Sequence, residues 1–487
     1  MAGVDGSMND DSPIASIRER IRRRRGDDDS PVLVLSEAEG YVGDELTFHG
    51  RGLESNGVYE IVWHSQEGDW AVVGANEVVG PQYQPRRERV ATVTADEDGE
   101  FDEEWEVPED FGGTHRVEIQ DPDGETVADA TYEITPWFDV ERTAAPLGES
   151  FTVRGYGIGS DVVTSNYQVT WDNSPVGFLT GVMRRGTATA EIRAVGPPGD
   201  HVVQVWRNAE GIPYLQNNTQ SPYGPVAGGR QSAWTVEVTE PDGDPRTAWV
   251  DPLLDESPIA AHYPEIDGDS EAAIEVSPTS GQPGTTVFVT GENFPPDTEV
   301  DLRWYRHEGF RGEGVPVTPE PDSDVLPSAT TDENGRFQTE VAIPRDQGST
   351  RPITAAVDGR EVAVAGFVMQ PAIETFVPGR GPVGTTIEIE LTGIGWTDYE
   401  NQLFFVYDNK PVGYAVGTTG ADEPGTVRVE LNATGEPGWH FIDVYPSLLE
   451  TREDTPTFDS APHLSYVDNH PMRPVPAVHF AFEVTEE

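Results

Sequence analysis

The sequence predicts an all-β protein made of four tandem β-sandwich domains in the order A-B-A-B, where A and B are two different modules. One reason is that short runs alternate between apolar and polar residues, as Thr285–Thr290 and Val300–Tyr305 do, and this period is typical of half-buried strands. A second is that Asp-Gly and Asn-Gly pairs, which favour tight hairpin turns, separate such runs. Several short strands with turn signals within about 100 residues predict an antiparallel sandwich. The third reason is an internal duplication.

The duplication repeats an A module followed by a B module. In the B modules, PLGESFTVRGYGIG around Gly148 corresponds to PVGTTIEIELTGIG around Gly384, and GPPGDHVVQVW ending at Trp206 corresponds to GEPGWHFIDVY ending at Tyr445. In the A modules, Gly43, Gly50, Trp63 and Gly68 correspond in order to Gly284, Gly291, Trp304 and Gly309. A tandem duplication of a two-domain unit explains these matches.

The repeats also set the predicted domain limits. They are 1–31 for an N-terminal tail, 32–136 for A1, 137–240 for B1, 241–271 for an acidic linker, 272–371 for A2 and 372–487 for B2. The linker is predicted because its residues are rich in Pro, Asp and Gly.

One stretch resembles a known domain family. SPTSGQPGTTVFVTGENFPPDTEVDLRW, from Ser277 to Trp304, is similar to the opening of IPT/TIG-type immunoglobulin-like domains, and PGRGPVGTTIEIELTGIGW, from Pro378 to Trp396, resembles it less closely. The resemblance implies that the four sandwiches are immunoglobulin-like and serve as extracellular or particle-bound interaction modules. It implies little about a ligand.

The charge of the chain indicates its habitat. The formal net charge is −56, Lys410 is the only lysine, and cysteine is absent. Molar salt screens charge over about 3 Å and tolerates such self-repulsion, so we expect an extreme halophile or its virus, with K⁺ or Na⁺ as counterions. An acidic secreted bacterial protein is the alternative, but it does not explain the missing lysine. Nucleic acid is excluded as a partner by repulsion, and disulfides are excluded by composition.

No catalytic signature points to an enzyme or to a cofactor. The sequence contains no nucleophile elbow, zinc-binding helix motif or phosphate-binding loop. His201 and His440 occupy equivalent places in the two B modules, which favours a structural role over a catalytic one. The D-N-x-P-V-G sequence that both B modules share favours a structural hairpin over a binding motif.

Calcium is the one metal for which the chain offers candidate ligands. Asp267, Asp269 and Glu271 supply hard oxygen atoms in the linker, although their spacing lacks that of a complete calcium loop. The alternative is that these acidic residues are only hydrated halophilic surface.

The N-terminal tail predicts a short amphipathic basic helix. Ser12 and Pro13 favour a helix start, after which isoleucines fall on one face among arginines. The expected role is docking to an acidic partner. Folding back onto the acidic domains and remaining a solvated tail are the alternatives. The predicted docking residues are Ile14, Ile17, Ile21, Arg18, Arg22, Arg23, Arg24 and Arg25.

Each B module carries a long polar segment before its last strand, Arg207 to Ser232 in B1 and Pro446 to Pro476 in B2. Segments of this length in compact domains are usually functional or disordered. Their Tyr, Asn and Gln content suits recognition of a glycan or a protein. The equal alternative is packing against the neighbouring domain. The candidate receptor or glycan residues are Tyr214, Gln216, Asn217, Tyr223, Phe458, Tyr466 and Asn469.

These features predict a location outside the cell without a membrane span. No apolar stretch approaches the 18 or so residues of a spanning helix, and the residues after Arg25 are acidic rather than the apolar segment of a twin-arginine signal. We therefore expect a chain that begins near Met1 and leaves the cell in a particle. The expected function is a non-enzymatic structural or receptor-binding protein of a halophilic archaeal virion, such as a capsid decoration, turret or tail fibre. Other virion proteins and a host surface glycan or glycoprotein are the expected partners, and the sequence leaves the oligomeric state open. The alternative is a cell-surface adhesin or S-layer-associated protein of a halophilic archaeon.

Overall fold

The computed structural model describes most of the chain as β-strands. The described residues are 30–73, 77–161, 165–208, 229–253, 263–308, 318–322, 326–395, 402–418, 423–446, 450–452, 455–457, 462–469 and 476–486. The predicted N-terminal helix and its docking residues lie outside them. No helix among the described residues is long and apolar enough to span a membrane.

The strands of the first half of the chain lie within the predicted limits of A1 and B1. Those of A1 are β1 (Val32–Leu35), β2 (Glu39–Gly40), β3 (Glu45–Arg51), β4 (Val58–Val73), β5 (Glu77–Thr94), β6 (Phe101–Glu106), β7 (Gly113–Gln120) and β8 (Thr126–Ile134). Those of B1 are β9 (Trp137–Val140), β10 (Ala144–Pro146), β11 (Ser150–Tyr156), β12 (Asn166–Trp171), β13 (Ser174–Leu179), β14 (Ala188–Arg193), β15 (Gly199–Asn208) and β16 (Gly229–Thr239).

The second half begins with β17 (Ala248–Val250) and continues with A2 and B2. The strands of A2 are β18 (Ala273–Ser277), β19 (Ser280–Gly281), β20 (Thr286–Glu292), β21 (Glu299–Glu308), β22 (Thr318–Asp322), β23 (Ala329–Thr330), β24 (Phe337–Ala342), β25 (Ser349–Val357) and β26 (Arg360–Met369). The elements of B2 are β27 (Ala372–Val377), β28 (Arg380–Pro382), β29 (Thr386–Thr392), β30 (Gln402–Tyr407), β31 (Lys410–Val416), β32 (Val427–Asn432), β33 (Gly438–Pro446), β34 (Glu450–Arg452), β35 (Thr455–Thr457), α1 (Tyr466–Asn469) and β36 (Val478–Thr485).

All four domains are immunoglobulin-like sandwiches with one strand order. In A1 a three-stranded sheet, β1-β3-β6, accompanies a five-stranded sheet, β2-β8-β7-β4-β5. The same order recurs in B1, A2 and B2, and each time the short second strand pairs in parallel with the last strand of its domain. The opening segment of each domain is therefore divided between both sheets.

The chain forms two compact units. The described part of A1, without the hairpin end Gly68–Tyr83, forms the first unit, and that hairpin end together with B1, A2 and B2 forms the second. Each unit has its own buried apolar core.

A buried tryptophan-aspartate pair lies in the core of each A module. The indole Nε1 of Trp63 donates to Asp110 Oδ2 at 2.9 Å, and that of Trp304 donates to Asp346 Oδ2 at 2.6 Å. Both indoles are fully buried, so the carboxylate satisfies the one polar atom that each tryptophan brings into the core.

The B modules use a histidine and an aspartate instead. His201 Nδ1 lies 2.6 Å from Asp172 Oδ2, and its ring stacks on Trp171. In B2, His440 makes the equivalent contact with Asp408 at 2.5 Å. In both, Nε2 contacts a backbone carbonyl at 2.8 Å. These are the contacts that a structural role for both histidines predicts.

The shared D-N-x-P-V-G sequence forms a hairpin turn in both B modules. Asp172 and Asn173 join β12 to β13 with φ of 46° and 66°, and Asp408 and Asn409 join β30 to β31 with φ of 46° and 58°. Asp and Asn tolerate positive φ better than most residues, which explains their use at a two-residue turn.

Part of the predicted linker belongs to domain B2. Strand β17 pairs antiparallel with β36, from Ala248 opposite Phe480 to Val250 opposite Val478. The assignment of all of 241–271 to a linker is therefore corrected. The Pro- and Asp-rich surroundings concealed Ala248-Trp249-Val250, which is too short to show a period.

Candidate functional site: the interface between B1 and B2

Domains B1 and B2 come from different halves of the duplication, yet they share one hydrophobic core. Buried residues of B1, among them Trp171, Val203 and Val205, form a single cluster with buried residues of B2. The contributing residues of B2 are Val406, Phe441, Tyr445, Leu464, Tyr466, Ala477 and Ala481. The interface is therefore packed like a domain interior.

A buried arginine of B1 reaches across this interface. Arg193, at the end of β14, is 2% exposed, and its Nη2 lies 2.7 Å from Oδ1 of Asp443 in β33. The guanidinium carbon lies 4.7 Å from the ring centroid of Trp249 and 5.0 Å from that of Phe441. The side-chain amide of Asn409 donates to the Arg193 carbonyl oxygen at 2.8 Å. B1, the strand β17 and B2 thus meet at one side chain.

His479 extends the ion pair into a chain of charges. Its Nδ1 lies 2.7 Å from Asp443 Oδ1, and its Nε2 lies 3.2 Å from Asp251 Oδ2. The ring stacks on Trp249 at a centroid distance of 4.8 Å. The Tyr466 hydroxyl donates to the same Asp251 oxygen at 2.9 Å. We call Arg193, Asp251, Asp443 and His479 the buried charge network.

The pKa shifts of Asp251, Asp443 and His479 favour their ionised forms. Burial alone raises the pKa of Asp443, but the charge of Arg193 and the hydrogen bond with His479 outweigh burial, so the pKa is lowered. The pKa of Asp251 is lowered because the contacts with His479 likewise outweigh burial. Burial alone lowers the pKa of His479, yet its hydrogen bonds to Asp251 and Asp443 raise it overall. Below the folded-state pKa of His479, two cations therefore balance two anions inside the interface.

The network predicts that stability falls as the pH rises above 6.5. The folded-state pKa of His479 lies above its ordinary 6.5, so its contribution is complete below pH 6.5 and is lost as the pH rises through the folded-state pKa. His440, whose pKa is also raised overall, acts in the same direction. Urea unfolding at fixed molar KCl should show a fall of up to about 1.4 kcal/mol per pH unit for each proton released.

The variant His479→Gln tests the source of this dependence. It should show a shallower fall over the same pH range, with the remainder coming from His440. An unchanged slope in His479→Gln would show that the buried charge network does not couple stability to pH.

A second contact adds a segment of B2 to the edge of a B1 sheet. The Phe178 N–H donates to the Pro462 carbonyl, and the Leu464 N–H donates to the Phe178 carbonyl, both at 2.9 Å. The His463 ring stacks on Phe178 at 4.8 Å, and burial lowers the pKa of His463 to about 3, so the ring is neutral. A Cβ on Gly177 would lie 2.4 Å from the Pro462 carbonyl oxygen, so only glycine permits this approach. The segment 462–464 thus pairs alongside edge strand β13 as an added strand.

The residues that follow this segment make further hydrogen bonds and an ion pair with B1. Ser465 Oγ accepts from the Thr180 N–H at 3.0 Å and donates to the Thr180 carbonyl at 3.0 Å. Asp468 accepts from the Thr189 N–H at 2.7 Å and forms an ion pair with Arg184 at 3.1 Å. For this part of the long B2 segment, packing against the neighbouring domain is what the structure shows.

The predicted receptor residues are distributed differently from expectation. Tyr466 is 7% exposed and packs inside the interface, because its ring joins the shared core and its hydroxyl has an internal acceptor. It therefore does not lie on an exposed loop. Asn469 ends helix α1. Outside the described residues lie Tyr214, Gln216, Asn217, Tyr223 and Phe458.

The predicted calcium ligands line one pocket, but they are not grouped as a metal site. No group of three metal-binding side chains occurs within the described residues, which include Asp267, Asp269 and Glu271. The physical reason is local, since Asp267 Oδ1 accepts the Asp269 N–H at 3.1 Å and shapes its own turn. The described residues thus give no support to a calcium site at these three side chains.

Sequence reasoning missed the buried charge network, although the repeats carried a signal for it. By strand register, Arg193 of B1 corresponds to Asn432 of B2. The cross-strand pair Asp443–His479 of B2 corresponds to Gln204–Ala233 of B1. Charges therefore appear in one copy where the other copy has neutral residues. Such a departure within a duplicated module marks a position at which the two copies have different neighbours.

Comparison with known proteins shows only distant structural similarity. No protein-family model matches the chain, and no curated protein matches it. A crystal structure of Salmonella alpha-2-macroglobulin reacted with methylamine aligns at 10% identity and a TM-score of 0.19, over 92% of this chain and 30% of that one. The chain thus spans less than a third of that protein.

Two further solved structures align over most of both chains. A putative membrane anchored protein from Corynebacterium diphtheriae aligns at 8% identity and a TM-score of 0.18, over 94% of this chain and 91% of that one. An ICAM-5 D1–D4 ectodomain fragment aligns at 12% identity and a TM-score of 0.16, over 88% and 96%. TM-scores this low carry no argument about function, and the immunoglobulin-like assignment stands on strand order and pairing.

Proposed function

We propose that this chain is a non-enzymatic structural and attachment protein of a halophilic archaeal virion, in which tandem immunoglobulin-like domains are displayed outside the cell. The N-terminal arginine-rich segment docks to the particle, and the parts of the B-module polar segments that lie outside residues 462–469 contact the host surface. The strongly acidic surface keeps the chain soluble in molar salt.

The shared core of B1 and B2 is the observation that carries the proposal. A chain of independent sandwiches would flex at every linker, whereas here a hydrophobic core, an ion pair and an added strand connect domains from the two halves. Such a connection suits a component in which B1 and B2 keep one arrangement while force is transmitted between a particle and a surface.

Fractionation of a producing culture tests the location. Particles and envelopes are separated on a density gradient in molar salt, and the chain is located by mass spectrometry. Recovery in the particle band, with an N-terminal peptide that begins at Met1 or Ala2, is the expected result.

Recovery in the envelope fraction instead would overturn the virion assignment and favour a cell-surface adhesin. A peptide from a soluble cytoplasmic protein of the host serves as the contamination control, and it should be depleted from both fractions.

A further inference from the structure

Strand β31 is the counterpart in B2 of the B1 strand that carries the added segment. Tyr414 lies opposite Phe404 in B2, and Phe178 lies opposite Gln168 in B1. The two strand pairs have the same register, with a register shift at the same place in each. In B1 the N–H and carbonyl of Phe178 point away from the sheet and bond to Pro462 and Leu464. Because the register is the same, the N–H and carbonyl of Tyr414 point away from the sheet as well.

Strand β31 lies near β13, but its residues Val412 and Tyr414 are exposed, whereas the edge of β13 is covered. The side chain of Tyr414 is 61% exposed and that of Val412 is 51% exposed, whereas Phe178 is fully buried. Next to Gly177 the Pro462 carbonyl occupies the space of a Cβ, but next to Gly413 no atom of the described residues lies within 4 Å. An exposed apolar edge strand is a template for pairing with another chain, and proteins usually protect it.

The charge of this edge is unusual for the chain. Strand β31 reads KPVGYAV, so it contains the only lysine and no acidic residue, within a protein of net charge −56. A second chain can therefore approach this edge without bringing carboxylates together.

The long polar segment of B1 contains a sequence that matches the segment added to β13. Pro462-His463-Leu464-Ser465 of B2 corresponds to Pro213-Tyr214-Leu215-Gln216 of B1, with an aromatic residue between proline and leucine in both. From Gly211 to Gly229 no residue is charged. A tyrosine at position 214 would stack on Tyr414 as His463 stacks on Phe178.

We propose that the open edge of β31 binds the segment Pro213–Leu215 of a second copy of this chain as an added parallel strand, so that copies associate head to tail. Within one molecule, a segment of B2 is added to the edge of a B1 sheet. The proposed contact between molecules has the same form, with a segment of B1 added to the edge of a B2 sheet. Such a heterologous contact builds an open chain with one free donor segment and one free acceptor edge at its two ends. If these two ends bind each other, the chain closes into a ring. The inference does not depend on the particle assignment, but it reserves Pro213–Leu215 for self-association and leaves host contact to the rest of the polar segments.

Sedimentation velocity of the full chain in molar KCl tests the proposal. The average mass should rise with concentration above the 53.1 kDa of a single chain. The variants Tyr414→Asp and Tyr214→Asp should each remain at the single-chain mass. The matched control Val383→Asp, which adds the same charge at another residue that is 60% exposed, should associate as the unaltered chain does. Far-UV circular dichroism checks that every variant keeps its β-structure.

Mixing the two variants gives the most specific result. Each retains one intact surface, so an equimolar mixture should form a species of twice the single-chain mass and nothing larger. An unaltered chain that stays at the single-chain mass at all concentrations overturns the proposal, as does a mixture that does not dimerise. Loss of association in Tyr414→Asp but not in Tyr214→Asp would show that the edge binds a different segment and would also overturn it.

Discussion

The variant Arg193→Ala is expected to destabilise the second compact unit by about 3–5 kcal/mol, because it removes one of the two cations that contact the charged, buried carboxylate of Asp443. The substitution also removes the guanidinium from between the rings of Trp249 and Phe441. Urea unfolding in molar KCl, followed by tryptophan fluorescence, measures the change in the free energy of unfolding. The loss should exceed that of any exposed arginine, since the low-polarity surroundings cannot solvate the remaining carboxylate.

Two further variants separate the charge effect from lost packing. Arg428→Ala removes an arginine whose ion pair with Glu390, at 3.0 Å, is exposed to solvent, so its effect should be much smaller. The double variant Arg193→Leu with Asp443→Leu removes both charges and keeps apolar volume, so it should recover much of the loss. A loss in Arg193→Ala no larger than that in Arg428→Ala would contradict an energetic role for the buried ion pair.

Removal of salt is expected to abolish cooperative folding of the whole chain. A net charge of −56 is screened over about 3 Å in molar salt, but the screening length exceeds 10 Å at about 0.05 M. Repulsion between carboxylates then acts across whole domains, and the stability of a typical domain, about 5–15 kcal/mol, does not withstand it. Far-UV circular dichroism should show β-structure with a cooperative thermal transition in molar KCl, and loss of that transition after dialysis.

The control for salt is a neutral solute. Sucrose at matched osmolality favours burial of protein surface without screening charge, so it should not restore the transition at low ionic strength. A complete transition in low salt would contradict the halophilic interpretation of the composition.

The alternation of apolar residues and the internal repeats were sufficient to predict the four sandwiches. Alternation records which face of a strand is buried within its own domain, as the buried Val287 and Val289 of β20 show. Because each module occurs twice, each pattern is present in two copies of the sequence. The D-N-x-P-V-G hairpins were predictable for the same reason, since turn chemistry acts over neighbouring residues.

The prediction for the polar segment of B2 failed at Tyr466 because composition does not reveal what covers a surface. Tyr, Asn and Ser are as suitable for an internal contact as for a foreign ligand. Tyr466 finds its acceptor in Asp251, far away in the sequence. Similarly, Asp267, Asp269 and Glu271 were close in sequence, but the carboxylate of Asp267 was already engaged by its own turn.

The sequence by itself determined the fold of each domain, their order and the acidity of the surface, because these depend on local periodicity, repetition and composition. Only the tertiary structure decided that B1 and B2 share a core, that β17 joins B2, and that Arg193, Asp251, Asp443 and His479 form one network. Strand periodicity records that a residue is buried, but it does not record which domain covers it. The partner of each of these residues is set by how the domains pack, and that packing brings together parts of the chain that no local pattern connects.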